Sequence, residues 1–182
     1  MKVEDTSLAD VKIITPKVFS DPRGFFMETF RKDWFSKNVQ EAEFVQTNHS
    51  CSYKGILRGL HYQVNQPQGK LVRVISGTVY DVAVDLRRTS SSFGKWFGTI
   101  LSEENKKQLW VPEGFAHGFY VLSDTAEFVY KCTNYYSPKH ERCIKWNDPD
   151  INIEWPLDNK ESPKLSNKDL MGVLFKEAEF FE

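Results

Sequence analysis

Disulfide chemistry has little to work with in this chain. There are three cysteines, Cys51, Cys132 and Cys143, an odd count without C-x-x-C spacing. That excludes a disulfide framework and a zinc ribbon. A charge excess of one sign is also missing: 24 Lys plus Arg meet 25 acids, a net charge of -1. There is no basic surplus to bind nucleic acid and no polybasic run for a membrane surface. No apolar run approaches the ~20 residues needed to span a bilayer. The opening M-K-V-E-D-T-S-L has no signal core. A reduced, cytoplasmic protein is the expectation.

What the chain does have is aromatics and alternation. Its 182 residues are 40 % hydrophobic and 14 % aromatic, with 14 Phe. That supports a large core and leaves rings free for stacking. No linker, repeat or low-complexity stretch divides the chain, so one domain over 1–182 is expected. Period-two patterning over 43–52, 70–76, 78–86, 95–101, 107–111, 115–122 and 126–132 predicts strands. S-G-T around Gly77 predicts a tight hairpin between two of them. Pro16 interrupts a strand over 11–19 and marks it as an edge. The turn Asp21-Pro22-Arg23-Gly24 leads into a strand to Phe30, with Phe26, Glu28 and Phe30 on one face. Residues 31–38 are the best short helix, and the tail from about 150 reads as loops and short helical turns. The expected fold is all-β, a sandwich or barrel with short peripheral helices.

Chemistry concentrates in Arg58–Lys70, R-G-L-H-Y-Q-V-N-Q-P-Q-G-K. A polar cluster beside apolar strands needs a pocket or a solvated loop to accommodate it. His61 is either structural or a general base, if a carboxylate such as Asp169 meets one ring nitrogen in space. Lys70 opens a strand, where spacing alone favours a surface lysine over an oxyanion partner. Strict alternation puts Arg58 and His61 on opposite faces, unless Gly59 makes a bulge. Gln46, Asn48 and Ser50 share one strand face, and spacing alone favours solvent there. Tyr130 suits a buried proton donor, and Tyr136 a ring stacked at a pocket mouth.

V-P-E-G-F-A-H-G-F over 111–119 carries Pro-x-Gly-x-x-His spacing and resembles the second motif of the cupins, double-sheet jelly rolls. In metal-binding cupins that histidine is a ligand beside a His-x-His pair. No His-x-His occurs among the four histidines here, and His117 alone does not make a site. A metal-free cupin-like barrel is expected, with His117 contacting ligand or serving as a core histidine.

Several blocks in order are similar to one family. They are D-P-R-G-F-F-M-E at 21–28, Q-T-N-H-S at 46–50, R-G-L-H-Y-Q at 58–63 and G-K-L-V-R-V at 69–74. V-P-E-G-F-A-H-G-F at 111–119, Y-K-C-T-N-Y-Y at 130–136, K-W-N-D-P at 145–149 and L-S-N-K-D at 165–169 complete them. The chain resembles the dTDP-4-dehydrorhamnose 3,5-epimerases almost end to end. The resemblance implies no metal and no cofactor. It implies His61 as base, Asp169 as its orienting partner, Lys70 on the enolate oxygen and Tyr130 as acid. It implies Arg58, His117 and Lys168 on the diphosphate, and Gln46, Asn48 and Glu141 on the nucleotide. Tyr136 and Phe26 would sandwich thymine, with Phe26, Arg23 and Glu28 supplied by the partner of a homodimer that exchanges N-terminal strands. Two narrower possibilities stay open: a single-centre epimerase or ketoisomerase, and a non-catalytic sugar-nucleotide-binding cupin. A metal-dependent oxygenase is disfavoured by the missing ligands.

Overall fold

The computed structural model describes residues 1–157 and 162–182. Thirteen strands form among them: β1 Lys2–Asp5, β2 Lys12–Thr15, β3 Val18–Asp21, β4 Gly24–Met27, β5 Gln46–Tyr53, β6 Leu57–Gln63, β7 Lys70–Ser76, β8 Thr78–Asp85, β9 Trp96–Ser102, β10 Gln108–Val111, β11 Phe115–Val121, β12 Thr125–Cys132 and β13 Glu141–Cys143. Two short helices, α1 Lys32–Asn38 and α2 Asn167–Leu170, and a 3-10 turn at Phe175–Glu177 lie at the periphery. The strands make a six-stranded sheet, β1-β2-β10-β7-β12-β5, and a five-stranded sheet, β13-β6-β11-β8-β9. All pairings between strands are antiparallel. This is the expected double-sheet, cupin-like jelly roll.

The core lies between the sheets. Val72, Val74, Leu109 and Phe128 project from one sheet onto Val79, Ala83, Leu101, Phe119 and Val121 of the other. The outer faces are covered in part, and β8 buries side chains on both of its faces. Leu60, Tyr62, Val82, Val84 and Ala116 meet Phe175, Phe180 and Phe181 of the returning tail. Ile14, Leu71 and Trp110 pack under Phe35 of α1, with Phe30 and Phe44 at the edge.

Three expectations fail here. Pro16 ends β2 without marking an edge, because β2 lies between β1 and β10. Gly77 does not close a hairpin. β7 pairs with β10 and β12, while β8 pairs with β11 and β9 in the other sheet. Gly77 turns the corner between sheets at φ +78°, and a Cβ there would lie 2.0 Å from the Thr125 carbonyl oxygen. Only glycine fits both demands. The strand expected to reach Phe30 ends at Met27, because Phe30 turns to join Phe35 and Phe44. Glu28 and Phe30 therefore do not share a strand face with Phe26. The hairpin β3–β4 joins neither main sheet.

Candidate active site

A cavity of about 310 Å³ opens between the sheets, with walls from both. On the six-stranded side, β5 turns Gln46, Asn48 and Ser50 inward, opposite to the sequence-based preference for solvent. Their alternate neighbours Thr47, His49 and Cys51 are the exposed ones. β12 runs beside β5 with Tyr130 opposite Asn48. Lys70 faces inward in step with the core residues Val72 and Val74, so it is not a surface lysine.

On the five-stranded side, His117 of β11 lies opposite His61 of β6, while Phe119 lies opposite Arg58. Three steps on β6 thus match two on β11, a bulge at Gly59 and Leu60. A Cβ at Gly59 would sit 2.5 Å from the Gly118 Cα, so the close approach of the two strands needs glycine. The bulge resolves the parity problem: Arg58 and His61 both line the cavity.

His61 Nε2 lies 2.5 Å from Asp169 Oδ1. Asp169 is 3 % exposed. Its carboxylate also accepts from Ser166 Oγ at 2.6 Å and from the Gly59 backbone N–H at 3.4 Å. Ser166 is the N-cap of α2 and accepts from the Asp169 N–H, so one serine both starts the helix and holds the acid. Burial would raise the Asp169 carboxyl; the bonds from His61 and Ser166 outweigh it and hold it below the usual carboxylate range. Burial lowers the His61 pKa, with Asp169 opposing. With Nε2 committed to Asp169, Nδ1 is the nitrogen available to substrate.

The facing wall carries complementary groups. Burial raises the Tyr130 phenol, so it keeps its proton. Burial lowers the Lys70 ammonium, with the charges of Cys132, Glu141 and Asp81 opposing. Arg58 Nε donates to Ser52 Oγ at 2.9 Å. At the rim, Lys168 Nζ donates to Glu141 Oε1 at 2.7 Å and Tyr136 OH donates to Glu141 Oε2 at 2.8 Å. The Tyr136 backbone N–H donates to Gln46, whose amide donates to Asn48. Tyr136 lines the mouth and is 49 % exposed. Burial would raise the Glu141 carboxyl, but Lys168 and Tyr136 hold it down as an anion.

Arg23 and Phe26 lie outside this cavity. They line a separate shallow one on the β3–β4 hairpin, where Phe26 is 70 % exposed and Arg23 pairs with Asp21 at 2.6 Å. Glu28 follows the hairpin and faces Arg31 at 3.9 Å. Sequence reasoning missed Ser166, whose S-x-x-D spacing to Asp169 is a capping signature. It also missed Asp81, a lone acid inside the apolar strand V-Y-D-V. Cys143 lies opposite His61 on β13, 4.0 Å from Asp169. His61, Cys143 and Asp169 are the one trio of converging metal-type ligand atoms among the described residues. The fit to a metal is poor: the Cys143 thiol is pushed up to about 12 by burial and Asp169, and Asp169 is already engaged.

A family model described as dTDP-4-dehydrorhamnose 3,5-epimerase matches residues 5–177. The chain belongs to the dTDP-4-dehydrorhamnose 3,5-epimerase family. A curated relative of that description from Shigella flexneri is 58 % identical over 183 residues, covering 100 % of this chain and 99 % of its own. One from Neisseria gonorrhoeae is 59 % identical over 98 % of this chain, which spans 54 % of that longer protein. The crystal structure of a Legionella pneumophila dTDP-6-deoxy-D-glucose-3,5-epimerase in complex with dTDP-4-keto-L-rhamnose superposes with a TM-score of 0.95. It is 50 % identical, covering 98 % of this chain and 94 % of its own. Membership makes the chain an isomerase of the cupin-like type.

Proposed function

We propose that the chain inverts carbons 3 and 5 of dTDP-4-dehydro-6-deoxy-D-glucose, giving dTDP-4-dehydro-L-rhamnose. The observation that carries this is the split of roles between walls. The His61–Asp169 pair is on the five-stranded side, and Tyr130 and Lys70 are on the six-stranded side of the same cavity.

The substrate ketone at carbon 4 acidifies the hydrogens on carbons 3 and 5. His61 Nδ1 removes one of these protons. The C–H electron pair enters the carbon–carbon bond and the carbonyl pair moves to the oxygen, forming an enolate. Lys70 donates a hydrogen bond to that oxygen as its charge develops. Tyr130 returns a proton to the carbon from the opposite face, the oxygen pair reforms the ketone, and the centre is inverted. Asp169 orients the His61 ring and stabilises the imidazolium. These residues supply base, oxyanion partner and acid, so the chain needs no cofactor or metal for the step.

Arg58, His117 and Lys168 take the diphosphate. Gln46, Asn48 and Glu141 contact the nucleotide, and Tyr136 stacks on the thymine. The β3–β4 hairpin supports a homodimer with exchanged N-terminal strands. It holds three exposed phenylalanines, Phe19, Phe25 and Phe26, and an arginine, on an arm tied to neither sheet. Apolar exposure of that kind marks a contact surface. In this assembly Arg23, Phe26 and Glu28 complete the partner's cavity. Three free cysteines suit a reducing cytoplasm. His61→Ala tests the reading: turnover is abolished while dTDP affinity stays within a few-fold, and a near-normal rate would refute the base assignment.

A further inference from the structure

Asp81 is a buried carboxylate that the chemistry above leaves unused. It projects inward from β8 in step with the core residues Val79 and Ala83, with no exposed surface. Its hydrogen-bond partner among the described residues is His117, whose Nε2 lies 2.9 and 3.1 Å from the two carboxylate oxygens. Burial pushes the Asp81 carboxyl up, and the charges of His117 and Lys70 oppose it. A buried carboxylate persists only with a paired, hydrogen-bonded cation.

His117 supplies the other half. Its ring lines the cavity. A carboxylate on Nε2 fixes a proton there in either charge state. Nδ1 has no protein partner among the described residues, and it is not a buried orphan, so it opens on the cavity. A neutral ring would present a lone pair there and repel an anion; an imidazolium presents a donor. The other groups facing His117 are His61 and Arg58 on β6, Lys70 on β7 and the Phe128 ring on β12, whose centroid is 6.1 Å away. The other anion lining the cavity, Glu141, is engaged at the rim by Lys168 and Tyr136, so Asp81 is the carboxylate bonded to His117 that offsets a further cation beside Arg58 and Lys70.

We propose that Asp81 is a positioning residue: it holds His117 as a cationic donor whose Nδ1 grips the anionic part of the substrate. The inference rests on the reading of this cavity as the dTDP-sugar site. It assigns Asp81 an effect on binding rather than on the proton transfers.

The test is a four-way comparison of dTDP affinity by titration calorimetry: the unaltered chain, Asp81→Asn, His117→Gln and the double variant. Exchanging a charge-assisted hydrogen bond for a neutral one costs roughly tenfold in affinity. Asp81→Asn is therefore expected to weaken dTDP about tenfold, raise KM comparably and leave kcat within about threefold. In the His117→Gln background it has no further effect, because Asp81 acts through that ring. Unchanged affinity in Asp81→Asn, or the same loss in both backgrounds, overturns the proposal. A second measurement needs no variant: imidazole ¹⁵N NMR of the dTDP complex at neutral pH. Protons on both His117 nitrogens support the proposal, and a bare Nδ1 overturns it. If the unaltered chain fails to bind dTDP, the functional reading itself falls and takes this inference with it. A defect seen only among the variants leaves that reading standing.

Discussion

Asp169→Asn removes one charge and almost no volume from the centre of the proposed mechanism. In the native chain the Asp169 carboxylate meets the His61 ring at 2.5 Å and Ser166 Oγ at 2.6 Å while nearly excluded from solvent. As His61 takes a proton from carbon, positive charge develops on a ring that burial disfavours charging. Asp169 is the group that opposes this penalty. A hydrogen bond to a charged group is worth about 1.5–3 kcal/mol. Losing it in the transition state corresponds to roughly a 10- to 150-fold fall in kcat. KM should stay within about threefold, because Asp169 stands behind His61 and does not line the main cavity. The acid limb of kcat/KM should also move to lower pH. Asp169 raises the His61 pKa, so its loss lets burial depress that pKa further. Steady-state kinetics across pH read all three effects, with a thermal melt to show that the isosteric variant folds. A kcat within threefold of the native value, or a loss entirely in KM, would refute the orienting role.

Tyr130→Phe should cut inversion by a factor on the order of 10² to 10⁴. His61 would still exchange the substrate proton on its own face, so deuterium wash-in should outlast epimerisation; equal losses of both would contradict the assignment. In the native chain, activity should fall with acid only below the ordinary histidine pKa, since burial lowers that of His61 and the base must be unprotonated. The alkaline limb should follow Lys70, lowered by burial, rather than Tyr130, raised by it, so Tyr130→Phe should leave that limb in place. Arg23→Ala should weaken dTDP about tenfold through the neighbouring subunit's cavity; native affinity would count against strand exchange. Gly77→Ala should destabilise by about 2–4 kcal/mol, a Tm loss of roughly 5–15 °C, from its positive φ and the clash with Thr125; an unchanged melt would contradict the corner geometry.

Local chemistry in the sequence carried the strands and the candidate site residues further than it carried their arrangement. Alternation located β5 and β7 to β12 because each strand buries at least one face. It could not say which sheet a strand joins, so the bend at Gly77 looked like a hairpin and is a corner. It also could not tell a wet face from a cavity wall. Gln46, Asn48 and Ser50 read as solvated, and they face inward because β5 meets the cavity where the apolar core stops. Lys70 misled for the same reason. The pairing of His61 with Asp169 spans 108 residues, beyond the reach of any local pattern. The family blocks supplied it, and the geometry of Ser166 and the Gly59 bulge explains it. Asp81 left one trace, an acid inside an apolar strand.

The most direct test of the central claim is proton NMR of dTDP-4-dehydro-6-deoxy-D-glucose in deuterated water with the purified, metal-stripped chain. A reductase is added to trap the product. Deuterium is expected at both carbon 3 and carbon 5, with an L-rhamnose-series product. Deuterium at one carbon only would make the chain a single-centre epimerase. No exchange, with dTDP still bound, would contradict catalysis by His61 and leave a binding protein.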